Sequence, residues 1–179
     1  MSKIQLKTYL SKLVDPSLII GLAVLARIVP HAPNFTPIAA MALFGGAYLN
    51  RRWAILVPLA AMLASDIFIG FYAPIVMFSV YGSFVLTGLI GLWLKKRRNP
   101  RNVILAAIGA SVLFFLITNL AVWLGGWYPQ NLTGLVECYT LALPFFRNTI
   151  LGDIFYTGVF FGGYELVLNL LKKPALSTS

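Results

Sequence analysis

The chain has 179 residues, of which 59% are hydrophobic and 11% charged, with a mean hydropathy of +0.84. A soluble domain is about a quarter charged, so this chain has too little polar surface to cover a water-soluble globule. It reads as a polytopic membrane protein with room for about five to seven crossings of about 20 residues each. The net charge of +9 would suit nucleic acid, but the cations sit in short runs between apolar segments, where they anchor and orient spans. The lipid bilayer is therefore the expected partner, and nucleic acid is not. A single cysteine excludes an internal disulfide framework and a cysteine-rich metal site.

Residues 3–14 place Ile4, Leu6, Tyr9, Leu10, Leu13 and Val14 against Lys3, Lys7 and Lys12. The spacing predicts a short amphipathic helix lying in the interface. No cleavable signal peptide is expected, because a polar, lysine-bearing segment precedes the first apolar stretch and no small-residue cleavage motif follows it. Asp15-Pro16-Ser17 is a helix start, with Asp15 as N-cap and Pro16 at the first helical position. Spans are then predicted at 17–30, 36–49, 53–71, 74–94, 102–124 and 147–171. A polar and aromatic connection, 125–146, carries a short helix near 135–143. The expected fold is an all-α integral membrane protein in one domain, residues 1–179. It comprises an interfacial segment (1–16), a six-transmembrane-helix bundle (17–171) and a cytoplasmic tail (172–179).

The positive-inside rule orients this bundle. With the N-terminus cytoplasmic, Lys3, Lys7, Lys12, Arg51, Arg52, Lys95, Lys96, Arg97, Arg98, Arg101, Lys172 and Lys173 all fall inside. Of the 14 basic residues only Arg27 and Arg147 are left over. Both termini are thus expected in the cytoplasm, and a bacterial inner membrane is the expected location.

That orientation sorts the polar residues of the spans, which are costly in lipid and normally face a bundle interior or a wet cavity. Arg27, His31 and Asn34 lie at the outer end of the first hairpin. Asp66 and Tyr72 follow at the outer end of the third span, and Tyr81 lies in the outer half of the fourth. Asn119 and Trp123 end the fifth, and Tyr139 belongs to the last outer connection. Arg147, Asn148 and Asp153 open the sixth. Of the acids within spans, only Glu165 falls toward the cytoplasm. The asymmetry describes an outward-facing polar pocket for a small-molecule substrate, built from these twelve outer residues. Arg27, Asp66, Arg147 and Asp153 either bind polar groups of a ligand or pair with one another, since a buried charge without a partner costs several kcal/mol.

The segment Arg27-Ile-Val-Pro-His31-Ala-Pro-Asn34-Phe-Thr-Pro37 is stiffened by three prolines, and His31 is either a ligand contact or a plain loop residue. One histidine makes no metal site. Cys138 is either a ligand for a soft metal carried by the substrate or a packed, inert thiol. Gly158-Val-Phe-Phe-Gly162, Ala60/Ala64 and Ala106/Ala110 are small-xxx-small pairs that predict close helix packing. No Walker A, H-E-x-x-H or G-x-S-x-G motif is present, so neither an enzyme nor a bound cofactor is expected.

The run from Arg27 to Ala47, with Pro58 and Ser65-Asp66-Ile-Phe-Ile-Gly70, resembles the six-helix substrate-binding subunits (S-components) of energy-coupling-factor vitamin transporters. A closer resemblance is to a group of bacterial membrane proteins classed as a domain of unknown function. It is carried further by Thr118-Asn119-Leu-Ala-Val-Trp123, Gly134-Leu-Val-Glu-Cys-Tyr139 and Pro144-Phe-Phe-Arg-Asn-Thr-Ile-Leu-Gly-Asp153. The chain is also similar to solitary cobalamin-uptake S-components, in which a histidine and a cysteine lie near the corrinoid cobalt. His31 fits that role by position. Cys138 does not, because the family's cysteine is expected between the third and fourth helices, where Ala73 to Val76 hold none. The alanine-x-x-x-alanine face that docks on the shared energising module is also missing from the first span, which has Gly21, Ala23 and Ala26. The resemblance implies uptake of a vitamin-type molecule, cobalamin or a related corrinoid first among them, alone or with an energising module. The alternative is a structural or assembly subunit of a larger membrane complex, in which Glu165 and the glycines of the sixth span matter more than the outer residues.

Overall fold

The computed structural model describes residues 32–49 and 51–172, together with Gly21 and Leu25, which are helical. The expected interfacial helix, the rest of the first span, Arg27 and His31 lie outside the described residues. Among the described residues the chain is all-helical, with no strand. The elements are α1 (Ile38–Tyr48), α2 (Arg51–Ile69), α3 (Pro74–Leu94), α4 (Pro100–Leu124) and α5 (Leu132–Thr157). A π-helical turn, Gly158–Gly162, then runs directly into α6 (Gly163–Lys172).

Local chemistry explains the boundaries. Pro74 opens α3 at its first helical position, where its missing N–H costs nothing. Asn99 caps α4 by accepting from the Asn102 backbone N–H at 2.8 Å, with Pro100 next in line. The helix thus starts two residues earlier than the expected 102. Asn131 caps α5 through the Gly134 N–H at 2.9 Å. The largest departure from expectation follows. The short helix at 135–143 and the span from 147 are one helix, with Pro144 inside it. A proline inside a helix removes one backbone hydrogen bond and kinks rather than necessarily ends it, so the helix continues through Pro144.

Two described helices, α3 and α4, are long and apolar enough to cross a membrane. At 1.5 Å per residue they measure about 32 and 37 Å, against a hydrocarbon core of about 30 Å. By contrast α1 is about 16 Å long and buried on every side from Ile38 to Ala47. It packs on α2, α3, α4, α5 and the π turn, so it is the central rod. A helix apolar all round is a buried one.

The α1–α3 crossing is set by glycine. A Cβ on Gly46 would lie 2.5 Å from the Gly88 carbonyl oxygen and 2.6 Å from the Gly91 Cα. Backbone meets backbone there, and no other residue fits. The glycine pair singled out in the sequence behaves differently. Added Cβ atoms at Gly158 and Gly162 would meet nothing within 4 Å. That pair forms the π turn instead of a helix contact. Ala106 and Ala110 are buried as expected, while Ala60 and Ala64 are exposed.

At one end of the bundle Phe44 meets Tyr48, Phe160, Phe161 and Tyr164 at centroid distances of 4.6–6.1 Å. Tyr48 Oη donates to Glu165 at 2.7 Å, and Lys95 Nζ donates to the Leu49 carbonyl at 2.9 Å. The ends of α1 and α3, the π turn and the start of α6 are thereby gathered together. The outer surface is apolar, with Ile67, Phe68, Phe78, Trp93 and Leu105 exposed. The interior holds Ser65, Asp66, Ser83, Thr87, Ser111, Thr118, Thr149 and Asp153. This arrangement, apolar outside and hydroxyl-rich inside, suits a bundle solvated by hydrocarbon, where polar side chains hold helices together.

Candidate functional site

At the end opposite Tyr48 the segment before α1 makes a tight turn. The Phe35 N–H donates to the Ala32 carbonyl at 3.0 Å. Pro33 takes the second position and Asn34 the third, with φ of +62°. This is the pattern of a type II turn, in which proline fixes the first corner and asparagine tolerates the left-handed second. Three contacts hold the turn on α5. Asn148 Nδ2 donates to the Pro33 carbonyl at 3.1 Å. The Phe35 ring sits 5.8 Å from Phe155 and 5.6 Å from Tyr156. Gly152 allows the Phe35 backbone to approach, since a Cβ there would lie 3.1 Å from its Cα.

Asn34 thus projects over two adjoining cavities. The smaller, about 30 Å³, is closed by Thr36, Phe84, Phe114, Thr149 and Asp153. The larger, about 260 Å³, shares Asn34, Phe114 and Thr149 and extends to Phe115, Asn119 and Phe146. Phe115 and Phe146 stack at 4.4 Å and 28°, giving one flat aromatic wall. A third cavity, about 330 Å³, adjoins through Val76 and Val122 and is rimmed by Tyr72, Trp127 and Tyr128. The three form one cleft running from a buried carboxylate to an aromatic rim.

Both buried carboxylates are held by hydroxyl donors from a neighbouring helix. Asp153, 3% exposed, accepts from Ser111 Oγ at 2.6 Å, joining α4 to α5 at the floor of the cleft. Asp66, 1% exposed, accepts from Tyr81 Oη at 2.7 Å, joining α2 to α3. The other interior hydroxyls mostly donate to their own helix one turn back, as Ser83, Thr87, Thr118 and Thr149 do. That is the usual arrangement of serine and threonine within helices.

The twelve residues expected to form the site therefore divide. Asn34, Tyr72, Asn119 and Asp153 line the cleft. Asp66 and Tyr81 pair with each other, and Asn148 positions the turn. Trp123, Tyr139 and Arg147 line none of the three cavities. Trp123 Nε1 is spent on the Pro129 carbonyl at 3.0 Å, bracing the loop between α4 and α5. Tyr139 Oη donates to the Leu116 carbonyl at 2.6 Å, with its ring edge-on to Phe115. Arg147 is exposed, because the α5 face that enters the core passes through Thr149 and Asp153. Cys138 is 2% exposed, its Sγ donating to the Asn119 carbonyl at 3.5 Å. Burial pushes its thiol above the usual range, the opposite of what a metal-ligating or reactive thiolate needs. Among the cleft residues that sequence reasoning missed are Thr36, Thr149, Phe114 and Phe115. The two threonines carry no charge to mark them, and the two phenylalanines become part of a wall only when α4 packs on α5.

A family model described as a family of unknown function (DUF6580) matches residues 8–176, and the chain belongs to that family. No curated protein and no solved structure matches the sequence.

Proposed function

From membership of a family whose function is open, and from the cleft described above, we propose that the chain is an S-component-like membrane protein that captures a vitamin-type small molecule. The observation that carries this reading is the cleft itself. It converges on Asn34, Thr149 and Asp153, has a stacked aromatic wall, and opens at one end of the bundle. Ligand sites are typically about 300–1,000 Å³, mostly apolar, with a few convergent polar groups. In the proposed arrangement the bundle has six spans with both termini cytoplasmic, which puts the cleft on the outer face. The lysines and arginines of 95–101 then lie inside, as their bias requires.

The chemistry of the walls describes the ligand. A flat ring stacks on Phe115 or Phe146. Amide or carbonyl groups meet Asn34 and Asn119. A donor, cationic or neutral, reaches Asp153. A corrinoid is larger than either of the two main cavities. Its entry requires the turn at Asn34 or the Tyr72 rim to move outward, and its cobalt would find no thiol, since Cys138 faces the Asn119 carbonyl.

The test is thermal stabilisation of purified protein across thiamine, biotin, a flavin and a corrinoid. One of these should raise the melting temperature in a saturable way, and that rise should be lost in Asp153→Ala. No shift with any of them would refute the vitamin reading.

A further inference from the structure

The opposite end of the bundle carries a second cavity that the outer cleft does not use. At about 580 Å³ it is larger than any part of that cleft. Its walls are apolar, formed by Val103, Ile104 and Ala107 of α4 and by Ile154, Gly158 and Phe161 across from them. Its mouth is polar, formed by Arg98, Asn99, Tyr48 and Glu165. The groove exists because α5 changes pitch there. The Gly158–Gly162 turn is π-helical, and neither of those glycines fills the space beside α4. Such π turns cluster at functional positions.

Two independent features say what the groove holds. The first is charge. Lys95, Lys96, Arg97, Arg98 and Arg101 are exposed beside the mouth, against one acid, Glu165, which already accepts from Tyr48. The Arg98 guanidinium lies over the Tyr48 ring, 4.5 Å from its centroid, so it is held at the entrance. The second feature is Thr157. It lines the groove and is 2% exposed. Its hydroxyl has no hydrogen-bond partner, the only such buried side-chain atom among the described residues. By contrast the hydroxyls of Thr118 on α4 and Thr149 on α5 bond back to their own helices. A buried hydroxyl left open is costly, and an acceptor on a bound molecule would satisfy it.

We infer that this groove binds one anionic phospholipid. Its phosphate sits among Arg98 and the neighbouring cations, an ester carbonyl accepts from Thr157 Oγ1, and an acyl chain lies along Val103, Ala107 and Phe161. Cationic clusters at the cytoplasmic end of spans recognise anionic headgroups in this way. The inference rests on the reading that α3 and α4 cross a bilayer. It is independent of which ligand occupies the outer cleft.

The test is native mass spectrometry of the full chain, purified in detergent, with phosphatidylglycerol and phosphatidylcholine of matched chains. Phosphatidylglycerol should be retained as a single copy at about tenfold lower concentration. Arg98→Gln should reduce that preference severalfold. Gly158→Leu, whose new side chain enters open space, should abolish retention of both lipids while the melting temperature of the lipid-free protein holds. Thr157→Val should separate two effects that a structural role would keep together, weakening lipid retention while raising lipid-free stability. Equal retention of the two lipids by the wild type, or undiminished retention by Gly158→Leu, would overturn the inference in favour of adventitious lipid. Competition by inorganic phosphate or glycerol phosphate as strong as by the lipid would overturn it in favour of a soluble anion. The bilayer reading is checked separately by extraction, since washed membranes should release the chain only with detergent.

Discussion

The backbone-on-backbone crossing of α1 and α3 is the most testable contact in the fold. In Gly46→Ala the new Cβ would sit 2.5 Å from the Gly88 carbonyl oxygen and 2.6 Å from the Gly91 Cα. Optimal carbon contacts are about 3.5–4.0 Å, so α1 and α3 must part by about 1 Å. Nothing flexible can yield, because the atoms in the way are backbone. Overpacking of this kind costs about 1–3 kcal/mol, and the parted helices also lose contacts on either side of the crossing. Alanine's better helix propensity returns about 0.5–1 kcal/mol. The net loss is about 1–2 kcal/mol, and at about 2–4 °C per kcal/mol for a chain of this size the melting temperature should fall by about 2–8 °C. Gly82→Ala in α3 and Gly109→Ala in α4 are the controls. Nothing lies within 4 Å of either added Cβ, so only the propensity gain remains and both should melt slightly higher than wild type. The assay is thermal unfolding of the detergent-purified variants, with size-exclusion profiles to confirm monodispersity. If Gly46→Ala melts with the two controls, the α1–α3 crossing is not backbone on backbone and the description of the core is wrong.

Further outcomes are expected at the cleft end of the bundle. Asn34→Gly keeps the left-handed turn and removes the amide from the cleft, so stability should hold within about 0.5 kcal/mol while ligand-induced stabilisation drops. Asn34→Val should cost about 1–2 kcal/mol through the turn itself; equal melting of the two variants would count against the turn geometry. Tyr81→Phe removes the Oη that donates to Asp66 and should cost about 1–2 kcal/mol, read in the same melting assay. Arg147→Ala should leave ligand-induced stabilisation unchanged, because Arg147 lines no part of the cleft; its loss would restore arginine to the site. Cys138 should resist maleimide in the native protein and react on unfolding. Because burial raises its pKa, thiolate is scarcer than for a free cysteine at any pH from 7 to 9, and labelling should lag a free thiol across that range.

The sequence was legible where one residue type sets one local feature. Pro74 and the cations after Leu94 bound α3 at the expected residues. The prolines marked a stiff break, and the structure places a turn clamped on α5 at Ala32–Phe35. The polar residues Asp66 and Asp153 were expected inside, and they are. Reading failed where the outcome depends on two distant segments. Pro144 looks like a boundary in one dimension, but the helix carries on through it. Gly158 and Gly162 have the spacing of a packing motif, yet the contact glycines are Gly46 and Gly91, 45 residues apart and on different helices. Arg147, Trp123 and Tyr139 share the depth of the cleft without sharing its direction. Depth can be counted along a chain, whereas direction around a helix axis depends on what the helix packs against.

The central position of α1 has a consequence for synthesis. Ile38–Tyr48 leaves the ribosome before every described element it packs on. At 11 residues it is about half a membrane crossing, and its glycine face finds Gly88 and Gly91 only after α3 has been made. During translation it is therefore a segment without a settled position, and it depends on later helices to enclose it. A nested series of truncated nascent chains should show this directly. Protease resistance of the 38–48 segment should be absent in chains that stop before residue 74 and should appear once residue 94 has cleared the insertion machinery.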